Sequence, residues 1–245
     1  MNKFLTIINY RTAIALTIAL FMLFFSFTYN ISYNIDLTLL SIAIIFPLVF
    51  NIRGSFRRRE KALEHLSQFR GALKTISYYF QSATKLSEIE KTEIASKLKQ
   101  VSDSFVSHLG NNDYNTTVVD EKIDQISAYT ISKDTLISRG LKDKIFRMLN
   151  SLHEAIENVH AIHVHRTPVS LKAYCEYFIY AFPIIYVPAI IYKVGLDSPK
   201  WITVLVVLFS QFILISLYNI QDDLEYPFDN IGLDDINLNQ FKLDR

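Results

Sequence analysis

Apolar and polar positions divide this chain into two greasy pairs separated by a long polar middle. Four stretches are continuously apolar: about Thr12 to Thr28, Leu37 to Val49, Ala173 to Val194, and Ile202 to Leu217. The first and fourth carry no charge, and the third has only Glu176 and Lys193 near its ends. Each pair reads as a hairpin of membrane-crossing helices, because a water-soluble core has no use for such runs. The first stretch resembles a signal peptide's apolar core, but it is long, lacks a small-residue cleavage pattern and leads at once into the second. It reads as a retained span. The second is short against the roughly 20 residues that cross a bilayer core. It must borrow length from Tyr33 to Ile35 or be shielded by neighbours.

Between the pairs the period changes to that of amphipathic helices in water. Ala62, Leu66, Phe69, Leu73, Ile76 and Phe80 form one seam, Ile94, Leu98, Val101 and Phe105 a second, and Ile145, Leu149, Leu152, Ile156 and Val159 a third. The first seam follows the second apolar stretch without a turn, so that span is expected to continue as a helix beyond the membrane. His108 to Thr117, around Gly110-Asn111-Asn112-Asp113, has the chemistry of a loop. The expected organisation is a first transmembrane hairpin over residues 1–52, a cytoplasmic helical region over 53–172, a second hairpin over 173–219 and an acidic cytoplasmic tail over 220–245.

Charge adds sidedness. Lys3 and Arg11 precede the first span, Arg53, Arg57, Arg58, Arg59 and Lys61 follow the second, and Arg166 and Lys172 precede the third. By the positive-inside rule these ends are cytoplasmic, which makes a multi-pass protein of the cell membrane with both termini inside. Trp201, Tyr192 and Tyr218 sit at span ends, where amphipathic rings favour the headgroup layer. Half of the 245 residues are hydrophobic and the net charge is +1. The mean hydropathy of +0.19 suits a chain partly in lipid and partly in water. Near-neutral charge gives no general attraction to nucleic acid, and no nucleic-acid partner is expected. The single Cys175 excludes an internal disulfide and reads as a small apolar residue within a span.

Catalytic signatures are missing: there is no nucleophile elbow, phosphate loop, zinc-protease helix or dinucleotide fingerprint. The chain is not expected to be an enzyme. His160, His163 and His165 are close in sequence, yet no carboxylate or cysteine stands at ligand spacing beside them, so a solvated or interfacial role is the simpler reading. Asp222, Asp223, Glu225, Asp229, Asp234 and Asp235 concentrate negative charge near the end without the spacing of a helix-loop-helix calcium loop. A solvated acidic surface is the simpler reading here too.

Three segments, in order, resemble the bestrophin family. FPLVFNIRGSFRRREKAL resembles its aromatic-ended pore helix passing into a basic segment, HRTPVSLKAYCEYFIYAFP its Thr-Pro segment before the third span, and IQDDLEYPFDNIGLDDINL its tail. Departures are present: Asp229 stands where the family has glycine after Pro-Phe, Phe56 where it has tyrosine, and Asn51 and Arg53 are rearranged. The resemblance implies an all-α membrane protein with four transmembrane helices in two hairpins and a helical cytoplasmic region, assembled as a homopentameric channel. Its apolar neck on the fivefold axis would be Ile42, Phe46 and Phe50, which also recur every four residues, as one helix face would. Pro47 within that stripe removes a backbone hydrogen bond and should loosen the helix there. Permeant ions and membrane lipid are the implied partners. Chloride or other anions are the family default, a monovalent cation channel of the same fold is the alternative, and a non-conducting membrane scaffold is the rival of another class. Calcium control, with no other cofactor implied, would place Asp234 and Asp235 among the ligands.

Overall fold

The computed structural model describes residues 8–111, 114–195 and 198–244. Lys3, and the Asn112-Asp113 part of the expected loop, lie outside the described residues. The regular elements of the described residues are helices: α1 Tyr10–Thr28, α2 Thr38–Ser82, α3 Glu88–Gly110, α4 Thr117–Ser132, α5 Arg139–Val164, α6 Val169–Val194 and α7 Lys200–Glu225, with a short 3-10 turn at Leu238–Phe241. Four helices are long and apolar enough to cross a membrane, one for each apolar stretch.

These residues divide into two compact units. The first holds the chain up to Arg57, Thr167–Glu225 and Gly232–Asp234. In it α1 packs on α6 and α7, and α6 packs on α7. Ala15, Ala19 and Leu23 form the buried face of α1 at intervals of four. The two alanines have no bulk, so the backbones of neighbouring helices can approach closely, as packing within a membrane favours. Asn9 caps α1 by accepting from the backbone N–H groups of Arg11 and Thr12, which satisfies two of the donors that a helix start leaves over. At the other end of the unit, α6 stops where Gly195 takes φ +90°, a left-handed conformation that glycine adopts without strain.

The second unit holds Arg58–Arg166, Tyr226–Ile231 and Asp235–Arg245. All three amphipathic seams are buried in its single core, where the rings of Phe69 and Phe105 lie 4.7 Å apart. Ser87 and Glu90 make a reciprocal capping box at the start of α3. Glu90 also receives Lys133 at 2.6 Å, and its backbone carbonyl accepts from the Tyr129 hydroxyl at 2.9 Å. Lys133 and the Ser87 donors hold the Glu90 carboxyl at about 2. These bonds tie the start of α3 to the end of α4, so the two run antiparallel.

Three expectations change. α3 runs through His108 to Gly110 instead of ending before it, because His108 continues the buried spacing of Val101 and Phe105. Tyr33 to Ile35 lend no helix to the short second span. α2 begins at Thr38, whose N–H donates to Asp36 at 2.9 Å, and it gains its length on the far side through Asn51 and beyond. The end of the chain is not a solvated acidic tail either: Phe228, Ile236 and Leu238 are buried in the second unit's core, and Asp222 and Glu225 lie on α7.

Candidate functional site

Across its first half α2 has two distinct faces. Ile44, Leu48, Asn51 and Ser55 are buried within the first unit. Opposite them Ile42, Phe46 and Phe50 are 42%, 55% and 62% exposed, and the two phenylalanine rings stack 6.2 Å apart. Arg53 and Arg57 are exposed as well. On a wheel of 100° per residue, with Ile42 at zero, Phe46 falls at about 40°, Phe50 at about 80°, Arg53 at about 20° and Arg57 at about 60°. One exposed stripe thus changes from apolar to cationic along its length. In the sequence the arginines mark a span end, and helical phase is the signal that joins them to the stripe.

Pro47 has no N–H, so the carbonyl of Ala43 loses its partner within the helix. The Tyr174 hydroxyl, from α6, donates to that carbonyl at 3.2 Å. The same repair recurs on α6 itself. Pro183 frees the carbonyl of Ile179, and buried Gln211 of α7 donates to it at 3.0 Å. Pro188 frees the carbonyl of Ile184, where the Tyr33 hydroxyl stands 3.5 Å away while donating to Ile185 at 3.0 Å. Side chains on neighbouring elements therefore serve all three gaps, as an apolar surrounding requires. Near the basic end of the stripe, the Asn51 amide donates to the Cys175 sulfur at 3.3 Å, a buried contact of α2 with α6.

A knot of charge closes this end of the first unit. Arg11 of α1 donates to Asp222 of α7 at 2.6 Å, and Lys172 of α6 donates to the same carboxylate and to Glu225 at 3.3 Å. Glu225, buried, also accepts from the Thr167 N–H and the Gln221 amide, each at 3.0 Å. The starts of α1 and α6 thus meet the end of α7, and the clusters of Arg11 and Lys172 read from sequence do share one end of the unit.

The structure gathers the histidines differently from their order in sequence. His160 Nδ1 lies 3.1 Å from Nε2 of His108, which sequence reading had placed in a loop. His163 packs against His108, Tyr114 and Phe228 with ring centroids 6.0, 5.7 and 5.8 Å away. Its Nε2 is buried without a hydrogen-bond partner. Burial, then the charges of His108, Arg166 and His160, push the His163 imidazolium down to about 4. His165 is exposed at the end of α5 and stays out of the group. Asp234 is exposed and Asp235 half-buried, in a turn after α7.

No family model matches the sequence, and no curated protein matches it either. Solved structures do. A crystal structure of a membrane protein and a crystal structure of a bacterial bestrophin homologue from Klebsiella pneumoniae each match with a TM-score of 0.81 at 15% identity, covering 95% of this chain and 93% of theirs. A further structure of the Klebsiella homologue matches with a TM-score of 0.80 and covers 95% of both chains. An all-α membrane architecture of four spanning helices is thereby defined. It is the bestrophin fold, kept here in a divergent sequence.

Two outcomes are expected. Tyr174→Phe leaves the Ala43 carbonyl unpaired beside Pro47, at a cost of about 1–3 kcal/mol, and speeds amide hydrogen exchange of α2 around residues 44–50 in detergent or lipid. For His163, the folded value lies below the ordinary 6.5, so between those two values the unfolded chain binds the proton that the folded chain refuses. Its contribution is complete above pH 6.5 and is lost as pH falls toward 4, by about 2 kcal/mol after allowance for solvent screening. Denaturant midpoints should fall with acid across that range in the parent, and fall less in His163→Gln.

Proposed function

We propose that the chain is the subunit of a homopentameric ion channel that conducts small anions, chloride among them, through an axial pore lined by α2. The observation that carries this reading is the stripe on which exposed Ile42, Phe46 and Phe50 lead into exposed Arg53 and Arg57. Five copies of such a stripe around an axis make apolar rings followed by cationic rings. Narrow apolar rings gate by losing water, whereas rings of arginine attract anions and repel cations. The bestrophin fold supports the pentamer, since that family places this helix around its fivefold axis. Pro47 supplies the pliable point beside the two phenylalanines.

In this reading residues 1–52 and 173–219 are the two transmembrane hairpins, 53–172 the cytoplasmic helical region, and 220–245 a cytoplasmic segment. Both termini face the cytoplasm, where the positive-inside rule puts Arg11, Lys172 and the arginines after the second span. Membrane lipid surrounds the outer helices. Calcium control through Asp234 and Asp235 rests on the family resemblance alone.

Mass measurement of the detergent-purified protein tests the assembly: a pentamer is expected, and a monomer removes the axial pore. Planar-bilayer recording in asymmetric salt then tests selectivity and the neck. The parent's reversal potential should lie toward that of the anion, and Arg53→Glu combined with Arg57→Glu should move it toward the cation. Phe46→Ala combined with Phe50→Ala should raise conductance several-fold by widening and wetting the neck, and parental conductance in that double variant would remove the assignment.

A further inference from the structure

Outside the exposed stripe and the histidine group, the second unit brings together three donor side chains to which the channel reading gives no task. His153 and Glu157 stand four residues apart on α5, a spacing that places both on one face. Asp120, in the first turn of α4, points toward them from the neighbouring helix, its Oδ1 lying 3.9 Å from His153 Nδ1. One ligand atom from each of the three lies within 4.8 Å of the others. Among the described residues no other set of histidine, cysteine and carboxylate groups meets that condition.

We propose that Asp120, His153 and Glu157 bind a divalent transition-metal ion of the zinc class, linking α4 to α5. Two further observations point to a cation. Asp120 Oδ1 is shut off from solvent and has no hydrogen-bond partner, although Oδ2 accepts from the Thr116 hydroxyl at 2.8 Å. Among the described residues neither Asp120 nor Glu157 is paired with a lysine or arginine, and the ionic contact that Asp120 makes is with His153 itself. A dication between them would satisfy the buried oxygen and balance both carboxylates. The donor set selects the metal class: an imidazole with two carboxylates suits Zn²⁺ and its neighbours, whereas Ca²⁺ and Mg²⁺ take all-oxygen shells. Small rotamer changes of the exposed His153 and Glu157 would bring the ligands to metal-bond distance, leaving open positions for water. Thr116 orients Asp120 as an outer partner does for a metal-bound carboxylate.

The full-length protein in detergent, stripped with chelator, should bind one Zn²⁺ per chain in competition with a chromophoric indicator at neutral pH. Ca²⁺ at the same concentration should not displace it. His153→Ala and Glu157→Gln should each weaken binding by at least about tenfold, and Thr116→Val by about tenfold through its effect on Asp120. Metal-free melting temperatures matching the parent would show that the variants are folded, and Zn²⁺ should raise the melting temperature of the parent but not of His153→Ala. Unchanged affinity in His153→Ala and Glu157→Gln overturns the proposal. So does binding abolished by His160→Ala and retained by His153→Ala, which would place the metal on the histidine group instead.

Discussion

A backbone carbonyl in hydrocarbon has no water to accept from, and that constraint organises the first unit. Three prolines within spans break the helical ladder, and each break is met from outside its own helix. Tyr174 serves the carbonyl of Ala43, Gln211 that of Ile179, and Tyr33 stands by that of Ile184. A proline is therefore a point of attachment as well as a point of weakness. The helix that carries Ile42, Phe46 and Phe50 is bound to α6 at the residue where its own bonding fails, so the stripe beside Pro47 has both freedom and a stop.

Electrostatics holds the charged end of the same unit by a related logic. Two cations from α1 and α6 share Asp222, while Glu225 accepts from Lys172, a backbone N–H and an amide. A carboxylate as buried as Glu225 is tolerated only with this degree of satisfaction. The second unit lives by different rules. Its core is that of a soluble helical domain, with three apolar seams packed together and the rings of Phe69 and Phe105 in contact. His108 of α3 and His163 of α5 are buried side by side in that unit. There the neutral form of His163 is enforced by burial and by neighbouring positive charge.

Much of this was readable in the residues. Runs of apolar side chains gave the four spans, and intervals of three and four gave the seams, because periodicity records which side of a helix meets which solvent. Helix limits were harder. α3 passed through a segment read as a loop, since His108 is polar by type but occupies the position after Phe105 where the core continues. Acidic residues near the end look like one solvated group in the sequence, although Asp222 and Glu225 sit on α7 facing lysine and arginine. Charge counts do not show partners that are distant in sequence.

The sequence by itself determined the four-span, all-helical character and the buried seams, because each is a local pattern of side-chain polarity along one helix, whereas both faces of α2 at Ile42 to Phe50 are apolar and only the packed structure shows which of them is exposed. Only the tertiary structure decided which side chains meet the proline-freed carbonyls, that His108 joins His160 and His163, and that Asp120 faces His153. Those pairs are 32 to 151 residues apart in sequence. Their partners are set by how helices pack, and packing depends on the shapes of all the faces together.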